Sequence, residues 1–192
     1  MIYHVSGRLV EATPTYAVIE CAGVGYILHI SLTTYASIGK EENLRLFTHP
    51  IYKEDAQTLY GFFSRQERDI FIRLISVSGV GGNTARVILS SLTPDEVIEA
   101  IAREDVSLLK SIKGIGAKTA ERIIVDLKDK VSAIETGTDE ITGSGNLKAE
   151  AVSALEVLGY NARQSEKLVS SIIRESEAAS LEEVLKEALK RL

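Results

Sequence analysis

The run SGVGGNTARVIL at residues 78–89 returns 35 residues later as KGIGAKTAERII at residues 113–124. Each copy contains a Gly-aliphatic-Gly turn, with Thr and Ala three and four residues after the second Gly and an apolar run beyond. A turn of this kind leading into a helix is the pattern of a helix-hairpin-helix, which offers backbone N–H groups to a nucleic-acid phosphate. Two copies in one chain make DNA binding the first hypothesis about function.

The two turns have the chemistry that phosphate binding requires. Glycine lacks a Cβ, so the chain can bend sharply and come close to a ligand. The aliphatic residue between the glycines, Val80 or Ile115, is expected to enter the core. The helix that follows starts with unpaired N–H groups at the positive end of its dipole, where a phosphate oxygen binds without any base being read. The predicted DNA-binding residues are Gly79, Gly81, Gly82, Asn83, Arg86, Lys113, Gly114, Gly116, Lys118, Thr119 and Arg122.

A plainer interpretation of either turn is a tight connection between two helices, because a single Gly-x-Gly before a helix is common. The second turn is not a dinucleotide-binding fingerprint, since Thr119 stands where a third Gly would be needed. The matched Gly, Thr, Ala and apolar positions in both copies favour phosphate binding over a plain connection.

The composition indicates a soluble protein of the cytoplasm. The chain has 192 residues, 45% hydrophobic and 26% charged, so one or two globular domains are expected. No apolar stretch reaches the roughly 18 residues of a membrane helix, and the N-terminus lacks the pattern of a signal peptide. Cys21 is the single cysteine, so no internal disulfide can form. No membrane partner is therefore expected.

The net charge of −5 is unevenly distributed along the chain. Residues 1–63 carry 4 basic against 6 acidic side chains, and residues 135–192 carry 7 against 11. Residues 64–134, which hold both turns, carry 11 basic against 10 acidic, and within 107–130 the balance is 6 to 3. A locally basic surface on an acidic protein can still bind phosphate, with weaker long-range attraction.

The first third of the chain is predicted to form a small β-barrel. Its apolar segments are short, rich in β-branched or aromatic residues, and separated by turn residues. Five such strands, with an irregular stretch near 32–40, suit a closed barrel of the OB-fold type. The predicted strands are Val5–Ala12, Tyr16–Cys21, Gly25–Ile30, Leu44–Ile51 and Thr58–Phe63.

After residue 63 the hydrophobic period becomes helical. Thr93 is expected to cap a helix, with Pro94 at its first position and Glu96 completing a capping box. The predicted fold class is multidomain. It consists of an OB-fold barrel at 1–63, an all-α tandem helix-hairpin-helix domain at 64–134, a flexible linker at 135–146 and a three-helix bundle at 147–192, with helices at 148–158, 162–174 and 181–191. An ordered surface loop is the alternative for the linker.

Together with the tandem turns, seven short motifs make the chain resemble the RuvA family of bacterial Holliday junction proteins, over its whole length. The run EDAQ followed by LYGF, ahead of two Gly turns, is the most specific part of the resemblance. The motifs are GVGY at 23–26, FTH at 47–49, EDAQ at 54–57, LYGF at 59–62, QER at 66–68, KTAER at 118–122 and LGY at 158–160.

The resemblance implies a non-catalytic subunit without a cofactor. Family members form a flat homotetramer, with an octamer as the alternative assembly, that holds a four-way DNA junction in an open square. The AAA+ ATPase RuvB then moves the branch point in recombination and repair, and the resolvase RuvC is a further partner. The last domain would dock on the ATPase, and core positions are the equally open alternative for each candidate contact. These candidates are Leu155, Leu158, Tyr160 and Leu189.

The resemblance also gives Glu54 and Asp55 a role as an acidic pin at the centre of the tetramer. Both residues fall between two predicted strands, at the expected tip of a hairpin. Four copies would set carboxylates against phosphates at the crossover, where like charges repel and favour separated strands. From the residues alone, an ordinary solvated turn is the favoured interpretation; the resemblance favours the pin.

Both Gly turns depart from the family's usual pattern. The first turn commonly continues Pro-Lys where this chain has Gly82-Asn83, which puts a side-chain phosphate contact at Asn83 in doubt. In the second turn a Pro commonly stands at Lys113 and a Lys at Ala117, so Lys113 is expected to compensate in part. The backbone contacts of the turns do not depend on these side chains.

The alternative function from another class is a DNA repair enzyme, because glycosylases and lyases also carry a helix-hairpin-helix. Such enzymes need a nucleophilic Lys or catalytic Asp in a base pocket beyond the motif, whereas Val125-Asp126-Leu127-Lys128 is typical of a continuing helix with a solvated charged face. His4, His29 and His49 are scattered in predicted strands as packing or surface residues, so no metal site is expected. No nucleotide-binding P-loop is present in the sequence.

Overall fold

The computed structural model describes residues 1–39, 41–131, 147–175 and 180–191. The chain divides into two compact units, Met1–Thr138 and Asp139–Leu192, and each is described by itself. The predicted linker at 135–146 lies outside the described residues. Among the helices that are described, none has the length and apolar character needed to cross a membrane.

Five strands of the first unit close into a barrel in the order β1-β2-β3-β5-β4. All pairs are antiparallel except β3 with β5, which run parallel, and this is the topology of the predicted OB-fold. Alternate side chains point inward, so that Ile19, Leu28 and Leu46 are fully buried in the barrel core. The strands are β1 His4–Ala12, β2 Tyr16–Cys21, β3 Val24–His29, β4 Asn43–Tyr52 and β5 Gln57–Phe62.

The stretch near 32–40, expected to be irregular, contains a helix, α1, at Leu32–Ser37. Ser31 caps it by accepting a hydrogen bond from the Thr34 amide at 2.9 Å. The prediction was wrong because six residues are too short to show a helical period and the segment is rich in Thr and Ser. A tertiary contact stabilises this short helix, because the Thr33 hydroxyl donates to the Leu89 carbonyl at 2.6 Å.

In the described part of the first unit, five helices follow the barrel and share one hydrophobic core. The capping box predicted at Thr93 is confirmed, with the Thr93 amide 2.7 Å from a Glu96 carboxyl oxygen and the Glu96 amide 3.3 Å from the Thr93 hydroxyl. The Thr93 hydrogen bonds lower the pKa of Glu96. The helices are α2 Arg65–Ser76, α3 Gly82–Ser91, α4 Pro94–Ala102, α5 Val106–Ser111 and α6 Ala117–Val131.

Two adjacent residues of α2 attach these helices to the barrel. The Glu67 carboxylate is 1% exposed and accepts hydrogen bonds from the hydroxyls of Ser31 and, at 2.6 Å, Thr34. Arg68 is 7% exposed, donates from Nε to the Thr48 carbonyl at 2.8 Å, and lies over the Tyr3 ring. Each buried charge thus has partners, which is the condition for burying it.

The second unit is the predicted three-helix bundle. Leu155 and Val184 are among its fully buried core residues. Gly159 has a φ of +95° and ends the first helix, while the Asn161 side chain accepts from the Arg163 amide at 3.0 Å and caps the second. The helices are α7 Leu147–Val157, α8 Ala162–Glu175 and α9 Leu181–Arg191.

Glu67→Gln tests the attachment at α2. Burial raises the pKa of the Glu67 carboxyl, against the opposing effect of the Ser31 and Thr34 hydrogen bonds. A raised pKa means that the folded state holds the proton more tightly. This part of the stability is therefore complete below the ordinary glutamate pKa of about 4.3 and declines as pH rises through the folded-state pKa. The variant cannot ionise, so its deficit relative to the wild type, about 1–2 kcal/mol in acid, should shrink toward neutral pH.

Guanidinium unfolding of both proteins at a series of pH values measures this deficit. Glu99→Gln is the control, because Glu99 is exposed and paired only with Arg103 of the same segment. That substitution should cost less than about 0.5 kcal/mol at every pH. A Glu67→Gln deficit that is constant with pH, or grows with it, would contradict the assignment.

Candidate nucleic-acid interface

The repeat seen in the sequence is reproduced in the backbone of the two Gly turns. Gly79 has a φ of +92° and Gly114 a φ of +90°, so both occupy the left-handed region that favours glycine. The amide of Val80 donates to the Val77 carbonyl at 3.0 Å, and the amide of Ile115 makes the equivalent bond to Ile112 at 3.0 Å. The two turns therefore have the same conformation.

Val80 and Ile115 enter the core as predicted, at 4% and 5% exposure. Each of these two side chains packs into the core and anchors its turn there, while the flanking glycines remain exposed. The buried side chain holds the exposed backbone in place, so a ligand meets a preformed surface.

The second glycine of each turn lies just before a helix. Gly81 is the N-cap of α3, with φ −91° and ψ 172°, and no side chain caps that helix. The amides of Ala85 and Ala120 donate back to the carbonyls of Gly81 at 2.9 Å and Gly116 at 3.0 Å. The N–H groups between each glycine and its bonded alanine lie in the first turn of a helix, where no acceptor four residues back is available. Of these groups, the Thr119 amide donates to the Gly116 carbonyl at 3.1 Å.

Neither Gly81 nor Gly116 is required by contacts within the chain. Among the residues that the structure describes, and apart from its own chain neighbours, a Cβ built on either glycine would meet no atom within 4 Å, and neither glycine has a positive φ. Neither a steric clash with a Cβ nor a positive φ therefore explains glycine at these two positions. Glycine is among the residues favoured at a helix N-cap, and it also leaves the bare backbone open to close approach by an external group.

The structure brings the two turns together through Arg122. Its Nη1 donates to the Ser78 carbonyl at 3.3 Å, so a side chain of the second hairpin reaches the start of the first turn. Lys113, Lys118 and Asn83 are placed beside the turns; both lysines are exposed and Asn83 is near the start of α3. Thr119 is half-buried.

Arg86 has a role that the sequence did not reveal. Its Nη1 donates to the Thr15 carbonyl at 2.9 Å and ties α3 to the loop between β1 and β2. Part of its hydrogen-bonding capacity is thus used within the chain, and a phosphate contact from Arg86 stays a prediction.

Glu54 and Asp55 lie at the tip of the β4–β5 hairpin. The last paired residues are Tyr52 and Gln57, and the Lys53 amide donates to the Ala56 carbonyl at 2.8 Å across the turn. Both carboxylates are exposed. The predicted placement between two strands is therefore present, whereas a role as a pin is a separate proposal.

Three family models match the chain. They are described as the RuvA N terminal domain over residues 1–61, a SAM-like helix-hairpin-helix tandem over 71–129, and the RuvA C-terminal domain over 146–192. Relatives named Holliday junction branch migration complex subunit RuvA are similar over 100% of both chains. They are 54% identical in Christiangramia forsetii, 49% in Bacteroides thetaiotaomicron and 49% in Flavobacterium psychrophilum.

The chain belongs to the RuvA family. The resemblance expected from EDAQ, LYGF and the tandem turns is thus confirmed. The barrel, the hairpin tandem and the C-terminal bundle are the architecture of this family.

The predicted partner contacts in the C-terminal bundle of this RuvA-family chain differ in their exposure to solvent. Leu158, Tyr160 and Leu189 are 61%, 38% and 44% exposed, so a partner can reach them. Leu155 is fully buried between the helices and is a core residue, which corrects its prediction as a contact. The sequence could not separate the exposed residues from the buried one, because apolar residues of this small bundle occupy both buried and exposed positions. Val157, 85% exposed, was missed.

Within the described residues, no three or more His, Cys, Asp or Glu side chains are arranged to hold a metal ion. His29 and His49, expected to be packing or surface residues, are half-buried beside the first turn. Burial and, secondarily, the charges of Arg86 and Arg68 lower the pKa values of His29 and His49, respectively.

Gly79→Ala and Gly114→Ala test the equivalence of the turns. Each should lower the free energy of unfolding by about 1–2 kcal/mol, because alanine is strained at a φ near +90°. Gly81→Ala is the matched control at an ordinary φ, and it should cost less than about 1 kcal/mol. Guanidinium unfolding gives all three values. Equal losses at Gly79 and Gly81 would contradict the assignment of strain to the first glycine alone.

Proposed function

We propose that this protein binds four-way (Holliday) junction DNA as a homotetramer, holds the junction open and recruits the RuvB AAA+ ATPase for branch migration. The observation that carries the proposal is the pair of open glycines, Gly81 and Gly116, at the starts of two helices in turns of matching conformation. Membership of the RuvA family supports the same conclusion.

The Gly turns are the proposed site of backbone phosphate binding. Amides at the start of a helix attract an anion through hydrogen bonds and the helix dipole. Lys113 and Lys118 are exposed beside the second turn and add charge to it. Contacts of this kind position a duplex and do not read its sequence, which suits a protein that must move along DNA of any sequence.

A tetramer matches the number of arms in a four-way junction. One chain supplies one pair of turns, which suffices for one duplex arm, so four chains supply one pair for each arm. Four hairpin tips would then meet at the centre and bring Glu54 and Asp55 toward the crossover. Their repulsion from phosphate, which solvent strongly screens, would favour separated strands over stacked ones. An octamer, with two tetramers enclosing the junction, is the alternative assembly.

The C-terminal bundle carries the proposed partner surface. Four large apolar side chains are exposed on this small bundle, those of Val157, Leu158, Tyr160 and Leu189. Exposed apolar surface of this kind is typical of a protein-binding site. We propose that RuvB docks there, supplies ATP hydrolysis from its own chain, and leaves this subunit non-catalytic in the bacterial cytoplasm. The RuvC resolvase would use the same open junction.

A helix-hairpin-helix glycosylase or lyase is the rival function. Its catalytic Lys or Asp would follow the second hairpin, where Asp126 and Lys128 lie on α6. Lys128 makes an ion pair with Glu104, and both side chains are about half exposed. A charged pair on the solvent side of a helix favours a stabilising role over a nucleophile in a base pocket. Incision of abasic-site DNA by the purified chain would support the rival.

The proposed function predicts a large preference for junctions. The chain should bind a four-way junction about 100-fold more tightly than linear duplex of equal length, because several arms are held at once. A gel-shift comparison at one fixed salt concentration measures this ratio. Equal affinities would exclude the junction as the specific ligand.

Gly81→Ser and Gly116→Ser link that preference to the turns. A serine at the N-cap accepts a hydrogen bond from the amides that phosphate would use, and its Cβ occupies the open space. Each variant should keep its stability and lose about tenfold in junction affinity. Gly39→Ser is the control, because Gly39 is an exposed glycine with open space around it and lies outside both hairpins.

Glu54→Gln combined with Asp55→Asn tests the pin. Junction affinity should stay the same or rise by up to about tenfold, because a repulsion is removed. Branch migration driven by RuvB and ATP should change in the same protein. Glu41→Gln with Glu42→Gln is the control, since it removes two exposed charges elsewhere on the barrel. A large loss of binding specific to the hairpin variant would refute the repulsion argument.

A further inference from the structure

Three aromatic side chains with polar atoms form a row across the barrel wall that faces the first Gly turn. Tyr60 on β5 is paired with His29 on β3 and with His49 on β4. Residues paired across neighbouring strands project to the same side of a sheet, so the three side chains stand in line. The His29 and Tyr60 ring centroids are 5.9 Å apart.

The row forms one wall of a cavity between the barrel and α3. The cavity has a volume of about 670 Å³, and the start of α3 at Gly82, Asn83 and Thr84 lies opposite the row. The Tyr60 side chain packs closely against the backbone of Gly82. A Cβ added at Gly82 would lie only 2.5 Å from the Tyr60 hydroxyl oxygen. The size falls in the range of about 300–1,000 Å³ that holds a small organic ligand, so a sugar–phosphate unit fits.

Three polar groups at this cavity have no hydrogen-bond or ion-pair partner in the part of the chain that the structure describes. Among the described residues, none hydrogen-bonds the Tyr60 hydroxyl or Nδ1 of His49, and Lys53 at the cavity edge makes no ion pair. The residues that line the cavity include no Asp or Glu within the described chain. Burial raises the pKa of Tyr60 and lowers that of His29, and the nearby charge of Arg86 acts to lower both. An anion is the ligand that such a lining favours.

We propose that this cavity binds a backbone phosphate of the junction strand that passes from the first Gly turn to the β4–β5 hairpin tip. The inference rests on the proposed function and adds a barrel contribution to the DNA interface. Gly81 and Gly82 border both the first turn and the cavity, and Lys53 directly precedes the acidic tip. A strand held at the turn therefore meets the cavity before it reaches that tip. Lys53 supplies charge, and Tyr60 and His29 supply neutral hydrogen bonds.

Lys53→Met and Tyr60→Phe separate the charged from the neutral contribution. Lys53→Met should weaken junction binding by the full-length protein about three- to tenfold and lower the slope of log affinity against log salt by about 0.9 for each phosphate that is no longer neutralised. Tyr60→Phe keeps the ring and should weaken binding with an unchanged slope. Lys186→Met is the charge-matched control, because Lys186 is an exposed lysine of the C-terminal unit paired with Glu182. Thermal melts confirm that each variant is folded.

Junctions with single neutral methylphosphonates near the crossover locate the contact. One position should weaken binding by the wild type and have no further effect on Lys53→Met, whereas a position held by the second turn should weaken both proteins equally. If the wild type prefers junctions but both cavity variants match Lys186→Met, the inference fails and the proposed function stands. If the wild type shows no preference, both fail.

Inorganic phosphate distinguishes DNA from a free anion as the source of the phosphate group. At equal ionic strength, phosphate and chloride should affect wild-type junction binding equally, because a strand phosphate held by several neighbouring contacts outcompetes a free ion. Calorimetric binding of phosphate to the wild type that is lost in Lys53→Met, while phosphate leaves junction affinity no lower than chloride does, would assign the cavity to a free anion and overturn the proposal.

Discussion

The rest of the first unit depends on the burial of two oppositely charged neighbours, Glu67 and Arg68, between the barrel and the helices. Glu67 accepts hydrogen bonds from two hydroxyls at the start of α1. Arg68 donates to the Thr48 backbone carbonyl of β4. Because a buried charge without its partners is costly, the barrel and α2 have one favourable position relative to each other. That position decides how far the hairpin tip lies from the Gly turns, and it creates the cavity between β5 and α3.

Backbone geometry explains how a chain of net charge −5 can serve as a DNA-binding protein. The turns present amides whose partial charge does not depend on composition, and each turn is held by a buried aliphatic residue. Arg122 of the second hairpin donates to the Ser78 carbonyl at the start of the first turn and so links the two turns. In the proposed function, side-chain charge adds to these backbone amides, so the first turn is expected to bind phosphate even with Asn83 in place of a lysine.

Local chemistry predicted most of the fold. The repeat, the capping box at Thr93 and the period of the barrel strands each act within a few residues, and the structure places the corresponding elements within one or two residues of the expectation. The six-residue α1 escaped prediction because its stability comes from Glu67 and Leu89, which are distant in the chain. For Leu155 the sequence left a partner contact and a core position equally open, because exposed and buried leucines of one small bundle look alike in sequence, and the structure buries it.

The sequence by itself determined the two Gly turns and the position of the acidic tip, because glycine conformation and hairpin closure are local properties. Only the tertiary structure decided which of the candidate side chains are free to act. Arg86 and Arg122 proved to bond backbone carbonyls of Thr15 and Ser78. The row of His29, Tyr60 and His49 exists only through strand pairing across the barrel, since pairing register depends on packing of the whole core and not on the residues in the row.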